Sequence, residues 1–158
     1  MSDKQLLNEI SIILKEKGLA IATAESATGG MIAHYITNIS GSSEYFDRGL
    51  VTYSNAAKID LLGVNEKTLE KYGAVSREVA LEMAKGVRKK SKVDIGISTT
   101  GIAGPTGGSK DKPVGTVYVG FDSKQKTKVR KYNFEGNRLE NKGQFCKAAL
   151  EFLLENIR

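Results

Sequence analysis

The chain has 158 residues, of which 40% are hydrophobic and 27% are charged, and a formal net charge of +6. These values predict one globular domain large enough to bury a core, and no apolar run approaches the ~20 residues that a membrane-spanning helix needs. The N-terminus lacks the charged-then-apolar layout of a secretory signal, so we expect a cytoplasmic protein.

The cysteine and histidine counts narrow the chemistry further. The single cysteine, Cys146, excludes an internal disulfide and a cysteine-based metal cluster within one chain, and we expect it to pack in the core. The single histidine, His34, argues against a histidine-rich metal site. It also argues against a serine–histidine–aspartate triad, unless His34 itself is the base.

The positive charge suits either nucleic acid or a phosphorylated anion. Basic residues occur in short, scattered sets at 88–92 and 124–131, without a recognisable nucleic-acid fold or interleaved stacking aromatics. We therefore expect most of this charge to be solvated surface, and nucleic-acid binding is the weaker interpretation.

The N-terminal third predicts a helix, a buried strand and a second helix. Apolar residues repeat on one helical face over residues 4–17, and Gly18 follows as a stop signal. The apolar run 19–24 is typical of a short buried strand, whereas the residues from 31 to about 38 fit a helix better.

The turn between this strand and this helix carries the first candidate site. Residues 23–30 read Thr-Ala-Glu-Ser-Ala-Thr-Gly-Gly, which places Ser26 at the carboxyl end of the sheet, where free backbone N–H groups face a crevice. Gly29 and Gly30 let a ligand approach the backbone. Ser26 is thus a candidate nucleophile beside oxyanion donors, and a purely structural helix cap is the alternative.

A loop, a strand and a short helix come next. The composition of residues 39–43 is that of a loop, and residues 45–54 favour a strand with Gly49 at a bulge. A short helix is expected over residues 56–62, and Gly63 ends it.

Lys58 is the second candidate. Ser54 or Asn55 caps the short helix, which puts Lys58 in its first turn, where the helix dipole disfavours a positive charge and lowers the pKa. A lysine that is partly neutral near pH 7 can act as a general base. A lysine that simply points into water is the alternative, and spacing alone favours it.

The middle of the chain predicts two more helices and a strand that ends in a glycine-rich loop. Residues 66–72 fit a short helix, Ser76 caps a second one, and residues 93–99 read as a buried strand. The loop 100–108 contains four glycines and many small side chains, a composition that suits an anion such as phosphate. It matches neither the Walker loop nor the dinucleotide-binding fingerprint, and a bare flexible loop is the alternative.

The C-terminal third predicts an antiparallel hairpin and a long helix. Strands over 114–121 and 126–134 flank a turn, and the second strand has the more polar pattern of an exposed edge. Asn137 caps the last helix, so that Arg138 in its first turn could reach a phosphate, although an exposed structural arginine is the alternative. The expected fold is an α/β/α sandwich, with a mixed, largely parallel sheet and a terminal antiparallel hairpin.

Four motifs in this order resemble the CinA C-terminal domain family, which includes bacterial nicotinamide mononucleotide deamidases of the PncC type. The resemblance covers the chain from the first helix to the last. The segments that carry it are 24–30, 48–55 with Lys58, 73–76, and 101–108 with 112–117.

The resemblance implies that residues 1–158 form a single amidohydrolase domain for pyridine nucleotide salvage. It would convert nicotinamide mononucleotide to nicotinate mononucleotide and ammonia without a metal or cofactor. Ser26 matches the family's nucleophile, Lys58 its general base, and Tyr53 a tyrosine that relays a proton or positions Lys58. The implied substrate-binding residues are Ala27, Thr28, Gly29, Gly30, Gly101, Ala103, Gly104, Pro105, Thr106, Gly107 and Arg138.

Several alternatives stay open. The chain could be a non-catalytic nucleotide-binding or regulatory module, or an amidase for another pyridine nucleotide. Nucleic-acid binding is suggested by the charge and by the family's historical association with competence and DNA damage. Longer family members carry an additional N-terminal domain that resembles molybdopterin-binding proteins, and we expect no activity of that domain here. A small domain with edge strands also predicts a homo-oligomer.

Overall fold

Five strands form one mixed sheet that has helices on both faces. The structure, a computed structural model, describes residues 1–158. The helices are α1 (Asp3–Lys17), α2 (Met31–Thr37), α3 (Asn55–Leu62), α4 (Glu66–Tyr72), α5 (Arg77–Ser91) and α6 (Arg138–Ile157), with a short 3₁₀ helix at Ser42–Glu44. The strands are β1 (Ile21–Glu25), β2 (Phe46–Val51), β3 (Ile95–Gly101), β4 (Thr116–Ser123) and β5 (Thr127–Asn133).

The strand order is β2-β1-β3-β4-β5. Strands β2, β1 and β3 are parallel to one another, whereas β4 pairs antiparallel with both β3 and β5. The prediction of a layered α/β fold with a mixed sheet and a terminal hairpin is therefore confirmed. Because β1 and β3 are central and parallel, their carboxyl ends meet at one edge of the sheet, where such folds bind ligands.

Each face of the sheet has its own apolar core. Helices α1, α2 and α6 cover one face with a cluster that includes Leu14, Ile97 and Phe145. Helix α5 covers the other face, with α3 and α4 packed against it. Gly86 of α5 makes the close approach of α3 possible, because a Cβ there would lie 2.0 Å from the Leu62 carbonyl oxygen. This packing fixes the helix that carries Lys58.

The helix ends agree with the predicted signals. Gly18 and Gly63 adopt the left-handed conformation that ends α1 and α3. Ser54, Ser76 and Asn137 cap α3, α5 and α6, each by accepting a backbone N–H with its side chain. No helix combines the length and the hydropathy that crossing a bilayer requires.

Strand boundaries and the bulge differ from the predictions. β4 begins at Thr116 rather than at 114, because Gly115 has a φ of +92° and turns the chain beside the Phe134 carbonyl. The irregularity in β2 falls at Asp47, where the pairing with β1 skips a residue, and not at Gly49. Gly49 instead permits close packing, since a Cβ there would lie 2.8 Å from Cβ of Ala33.

Candidate active site

Ser26 follows the last residue of β1, the strand that lies between β2 and β3. Its backbone N–H donates to the Thr99 carbonyl at 3.0 Å, which continues the β1–β3 ladder by one residue. The residue is only 8% exposed. The turn therefore holds the Ser26 hydroxyl at the carboxyl edge of the sheet, as the sequence predicts.

A buried carboxylate stabilises this turn. The Glu25 side chain accepts from the backbone N–H groups of Ile32 and Ala33, at 2.9 and 3.0 Å, and from the Thr28 hydroxyl at 2.6 Å. The Thr28 hydroxyl also lies 2.8 Å from that of Thr99 on the neighbouring strand. The network ties the start of α2 to β1 and β3, and so restricts the backbone on both sides of Ser26.

Backbone donors are available beside Ser26. The N–H groups of Ala27, Thr28 and Gly30 have no hydrogen-bond acceptor within the protein, whereas that of Gly29 donates back to the Ser26 carbonyl at 3.1 Å. Gly29 and Gly30 have φ values of +59° and +96°, which glycine adopts without strain. This arrangement could stabilise an oxyanion that forms next to the Ser26 hydroxyl.

Lys58 is buried and contacts Ser26. Its side chain is 1% exposed, and Nζ lies 3.0 Å from the Ser26 Oγ. The ammonium also donates to the carbonyl oxygens of Thr52 and Tyr53, at 2.9 and 3.1 Å. The structure thus excludes the interpretation that Lys58 points into water.

The surroundings of Lys58 lower the pKa of its amine. No carboxylate forms an ion pair with it, because its hydrogen-bond partners are two carbonyls and one hydroxyl. Burial lowers the pKa of Lys58 from 10.5 to about 8, since desolvation penalises the charged amine. An amine with this pKa is neutral in about one molecule in ten at pH 7.

Tyr53 and Arg138 meet at the mouth of the site. The Tyr53 side chain is 62% exposed, and its hydroxyl accepts from Nη2 of Arg138 at 3.0 Å. Nη1 of Arg138 donates to the Gly104 carbonyl at 2.8 Å. Tyr53 therefore contacts Lys58 through its backbone carbonyl and Arg138 through its hydroxyl.

The glycine-rich loop after β3 forms one wall of the site and presents free backbone donors. The N–H groups without an acceptor in the protein belong to Ala103, Gly104, Thr106, Gly107 and Gly108. Gly104 has a φ of +88°, and a Cβ there would lie 2.4 Å from Cγ1 of Val114. Only glycine fits this position without a shift of the Val114 side chain.

These elements enclose a pocket of about 310 Å³. Its only charged lining residues are Lys58 and Arg138, and no acidic side chain lines it. Of the predicted site residues it brings together Ser26, Ala27, Tyr53, Lys58, Gly101, Ala103, Gly104, Thr106, Gly107 and Arg138. Thr28, Gly29, Gly30 and Pro105 do not line it.

His34 and Cys146 have other surroundings. His34 is exposed on α2, and its Nε2 lies 3.3 Å from the Asn38 side-chain nitrogen, whereas Lys58 is the side chain that contacts the Ser26 hydroxyl. Cys146 is buried in the core, which raises the pKa of its thiol above the ordinary range. No group of three or more His, Cys, Asp or Glu side chains converges in a way that could hold a metal ion.

Comparison with known protein families shows to which family the chain belongs. The family model of the CinA C-terminal domain matches residues 3–157. The chain belongs to this family.

Relatives of this CinA C-terminal domain include longer proteins. A protein of Caldicellulosiruptor saccharolyticus, whose name refers to competence-damage induction, is 51% identical over 156 residues. A CinA-like protein of Chloroherpeton thalassium is 52% identical over 158 residues. Each comparison covers 98% of the present chain, which spans 38% of the length of these two relatives.

Solved structures of similar length share the fold. The competence/damage inducible protein CihA of Agrobacterium tumefaciens has a TM-score of 0.93 and 41% identity, covering 100% of the present chain and 98% of the other. A competence or damage-inducible protein of Enterobacter asburiae has a TM-score of 0.96 and 32% identity, covering 100% and 99%. The fold is therefore shared over nearly the whole length of both structures.

Two residues that support the site in this CinA domain were not predicted from the sequence. Glu25 supports the Ser26 turn, and Asn141, fully buried on α6, donates to the Ala103 carbonyl at 3.0 Å. An acidic residue at the end of an apolar strand was a signal for Glu25, because a buried carboxylate needs several donors. Asn141 follows Arg138 by one helical turn, but its contact depends on how the loop folds back onto α6.

Proposed function

We propose that this domain hydrolyses the carboxamide of nicotinamide mononucleotide, with Ser26 as nucleophile and Lys58 as general base. The observation that carries the proposal is the 3.0 Å contact between Lys58 Nζ and Ser26 Oγ in a buried site where Lys58 has no carboxylate partner. A serine hydroxyl is a weak nucleophile unless a neighbouring base removes its proton. An unpaired, desolvated lysine meets that requirement without a histidine.

The hydrogen bonds of Lys58 suit proton abstraction. A neutral amine has two N–H donors and one lone pair. The carbonyls of Thr52 and Tyr53 accept the two donors, which leaves the lone pair for the Ser26 hydroxyl. In this form Ser26 donates its proton to Lys58 as Oγ attacks the amide carbon.

The remaining steps use the same groups. The tetrahedral intermediate places its oxyanion near the free N–H group of Ala27, which lines the pocket. Its collapse breaks the C–N bond, and the proton held by Lys58 passes to the departing nitrogen, which leaves as ammonia. Water, deprotonated by Lys58, then attacks the acyl-serine and releases the nicotinate product, and Ser26 regains its proton.

The rest of the pocket supports a phosphorylated substrate. The Arg138 guanidinium, the loop donors from Ala103 to Gly108 and the absence of lining carboxylates all favour an anion. Membership of the CinA family and the resemblance to nicotinamide mononucleotide deamidases point to the mononucleotide. The reaction would serve pyridine nucleotide salvage, which is a cytoplasmic process.

Direct assay of the wild-type protein tests this function. Purified protein is incubated with nicotinamide mononucleotide in the presence of a chelator, and ammonia and nicotinate mononucleotide are quantified together. We expect equal amounts of the two products. Nicotinamide riboside serves as the matched substrate without phosphate, and we expect a much higher KM for it.

Other results would change the assignment. Binding of the mononucleotide without ammonia release would favour a nucleotide-binding module. Faster turnover of a different pyridine nucleotide would retain the amidase chemistry and change the substrate. Strongly salt-dependent DNA binding without amidase activity would favour the nucleic-acid alternative.

The pH dependence should follow the titration of Lys58. Because the pKa is about 8, kcat/KM should rise about tenfold between pH 7 and its plateau above pH 9, as the neutral amine becomes dominant. Initial rates between pH 6.5 and 9.5 at constant ionic strength measure this, with a no-enzyme control at each pH. A profile that is flat from pH 7 to pH 9 would contradict a lysine base.

The substitution Tyr53→Phe distinguishes a substrate-binding role of the Tyr53 hydroxyl from a role in proton relay. The substitution removes the acceptor of Arg138 Nη2 and keeps the backbone carbonyl that binds Lys58. We therefore expect KM to rise by about threefold to tenfold while kcat stays within about twofold, since one hydrogen bond to a charged group is lost. A hundredfold loss of kcat with unchanged KM would instead indicate that the hydroxyl relays a proton.

A further inference from the structure

Two side chains of α6 hold consecutive carbonyls of the glycine-rich loop. Arg138 donates to the Gly104 carbonyl at 2.8 Å, and Asn141, one turn further along the helix, donates to the Ala103 carbonyl at 3.0 Å. Arg138 also donates to the Tyr53 hydroxyl at the pocket mouth. Asn141 contacts the loop without lining the pocket. The two residues therefore bind the same loop, but only Arg138 also lines the pocket.

Asn141 is an unusual residue for its position. Its side chain is fully buried, its other amide hydrogen binds the Gly136 carbonyl at 2.9 Å, and its Oδ1 has no hydrogen-bond partner. An unpaired buried carbonyl costs free energy that a leucine of similar size would avoid. The amide is thus explained by what its two N–H groups hold rather than by packing.

The contact with Ala103 determines where the next N–H points. In a trans peptide the C=O and the following N–H point in opposite directions. The Ala103 carbonyl faces Asn141, so the N–H of Gly104 is directed away from α6. Gly104 lines the pocket, is buried and has no acceptor for this N–H within the protein.

We infer that Asn141 is a positioning residue that orients the peptide between Ala103 and Gly104, so that the Gly104 N–H donates to an anionic oxygen of the substrate. The inference rests on the proposed function for the identity of that substrate. Arg138 holds the opposite side of Gly104 through its carbonyl, and the residue that follows is Pro105, which has no N–H. Gly104 is therefore the donor whose direction the two α6 side chains determine together.

The test compares Asn141→Leu with Asn156→Leu. Asn156 is also a buried asparagine of α6, with one amide hydrogen bonded to the Phe152 carbonyl at 2.8 Å and an unpaired Oδ1, and it lies near the opposite end of the helix. The two substitutions therefore remove comparable groups, and thermal unfolding measures their structural cost. Asn141→Ala, which leaves room for water, replaces Asn141→Leu if that variant does not fold.

Binding is followed through the Gly104 amide resonance of ¹⁵N-labelled protein during titration with nicotinamide mononucleotide and, separately, with inorganic phosphate. We expect this resonance to shift in the wild type and in Asn156→Leu. In Asn141→Leu the shift should be smaller, with Kd and KM about tenfold higher and kcat within about threefold. Arg138 stays intact in both variants, so its own contribution to binding does not differ between them.

The outcomes separate the inference from the proposed function. A Gly104 resonance that responds to neither probe in the wild type overturns the inference. So does an equal rise of Kd and KM in the two leucine variants, because that result reflects stability alone. If Gly104 responds and Asn141→Leu weakens binding selectively, the inference stands even where the wild type releases no ammonia, and only the proposed reaction is then wrong.

Discussion

Replacing Ser26 with alanine should lower kcat for ammonia release by at least about 10⁴-fold, because loss of a catalytic nucleophile typically costs this much or more. The substitution removes only the hydroxyl that contacts Lys58 Nζ at 3.0 Å and leaves the backbone donors of the turn in place. Substrate binding should therefore be retained, with a Kd within about threefold of the wild-type value. Ammonia release under saturating nicotinamide mononucleotide and calorimetric titration measure the two effects.

Ser91→Ala is the matched control for this experiment. Ser91 is 7% exposed, close to the 8% of Ser26, and its hydroxyl is also buried, but it lies at the end of α5 and does not line the pocket. Its removal should leave kcat unchanged. Substantial activity in Ser26→Ala would exclude an acyl-serine and would require water to attack the amide directly.

Replacing Lys58 with methionine should lower kcat by at least about 10³-fold with a small effect on KM. Methionine has a similar length and is apolar, so it can occupy the buried channel of a side chain that is 1% exposed. What is lost is the base that takes the Ser26 proton and later delivers it to ammonia. Steady-state kinetics measure the split between kcat and KM, and thermal unfolding verifies that the variant is folded.

Two further variants identify the property of Lys58 that matters. Lys58→Arg retains a positive charge, but a guanidinium does not release its proton near neutral pH, so we expect it to be as inactive as Lys58→Met. Lys90→Met removes a lysine that also donates to a backbone carbonyl of α3, at Asp60, and should keep full activity. Activity in Lys58→Arg would indicate that charge rather than proton transfer is required.

The positions of the two reactive side chains along the chain were predictable, but their contact was not. Ser26 stands at a strand-to-helix turn and Lys58 in the first turn of a capped helix, and both local structures follow from nearby residues. On spacing alone Lys58 was expected to point into water. It is buried because β2 pairs with β1 and α3 packs against α5, and both contacts involve residues far apart in sequence.

The wrong predictions for the start of β4 and for the bulge in β2 have a common physical cause. A strand was predicted to start at Val114, but Gly115 has a φ of +92° and lies so close to the Phe134 carbonyl that a Cβ has no room. Gly49 was predicted to form a bulge. It is instead a glycine because Ala33 on α2 lies too close to leave room for a side chain. In both cases a partner distant in sequence determines the role of a glycine.

Local chemistry in the sequence was sufficient for the elements, their caps, the α/β class and the motifs that resemble the CinA family. Only the tertiary structure decided that Lys58 is buried against Ser26 and that the Tyr53 hydroxyl binds Arg138. The same holds for the hydrogen bond from Asn141 to the Ala103 carbonyl of the glycine-rich loop. The physical reason is that caps, turns and periodicity depend on residues within a few positions of one another. Desolvation, pKa shifts and the direction of a loop N–H depend instead on what the rest of the fold places around a group.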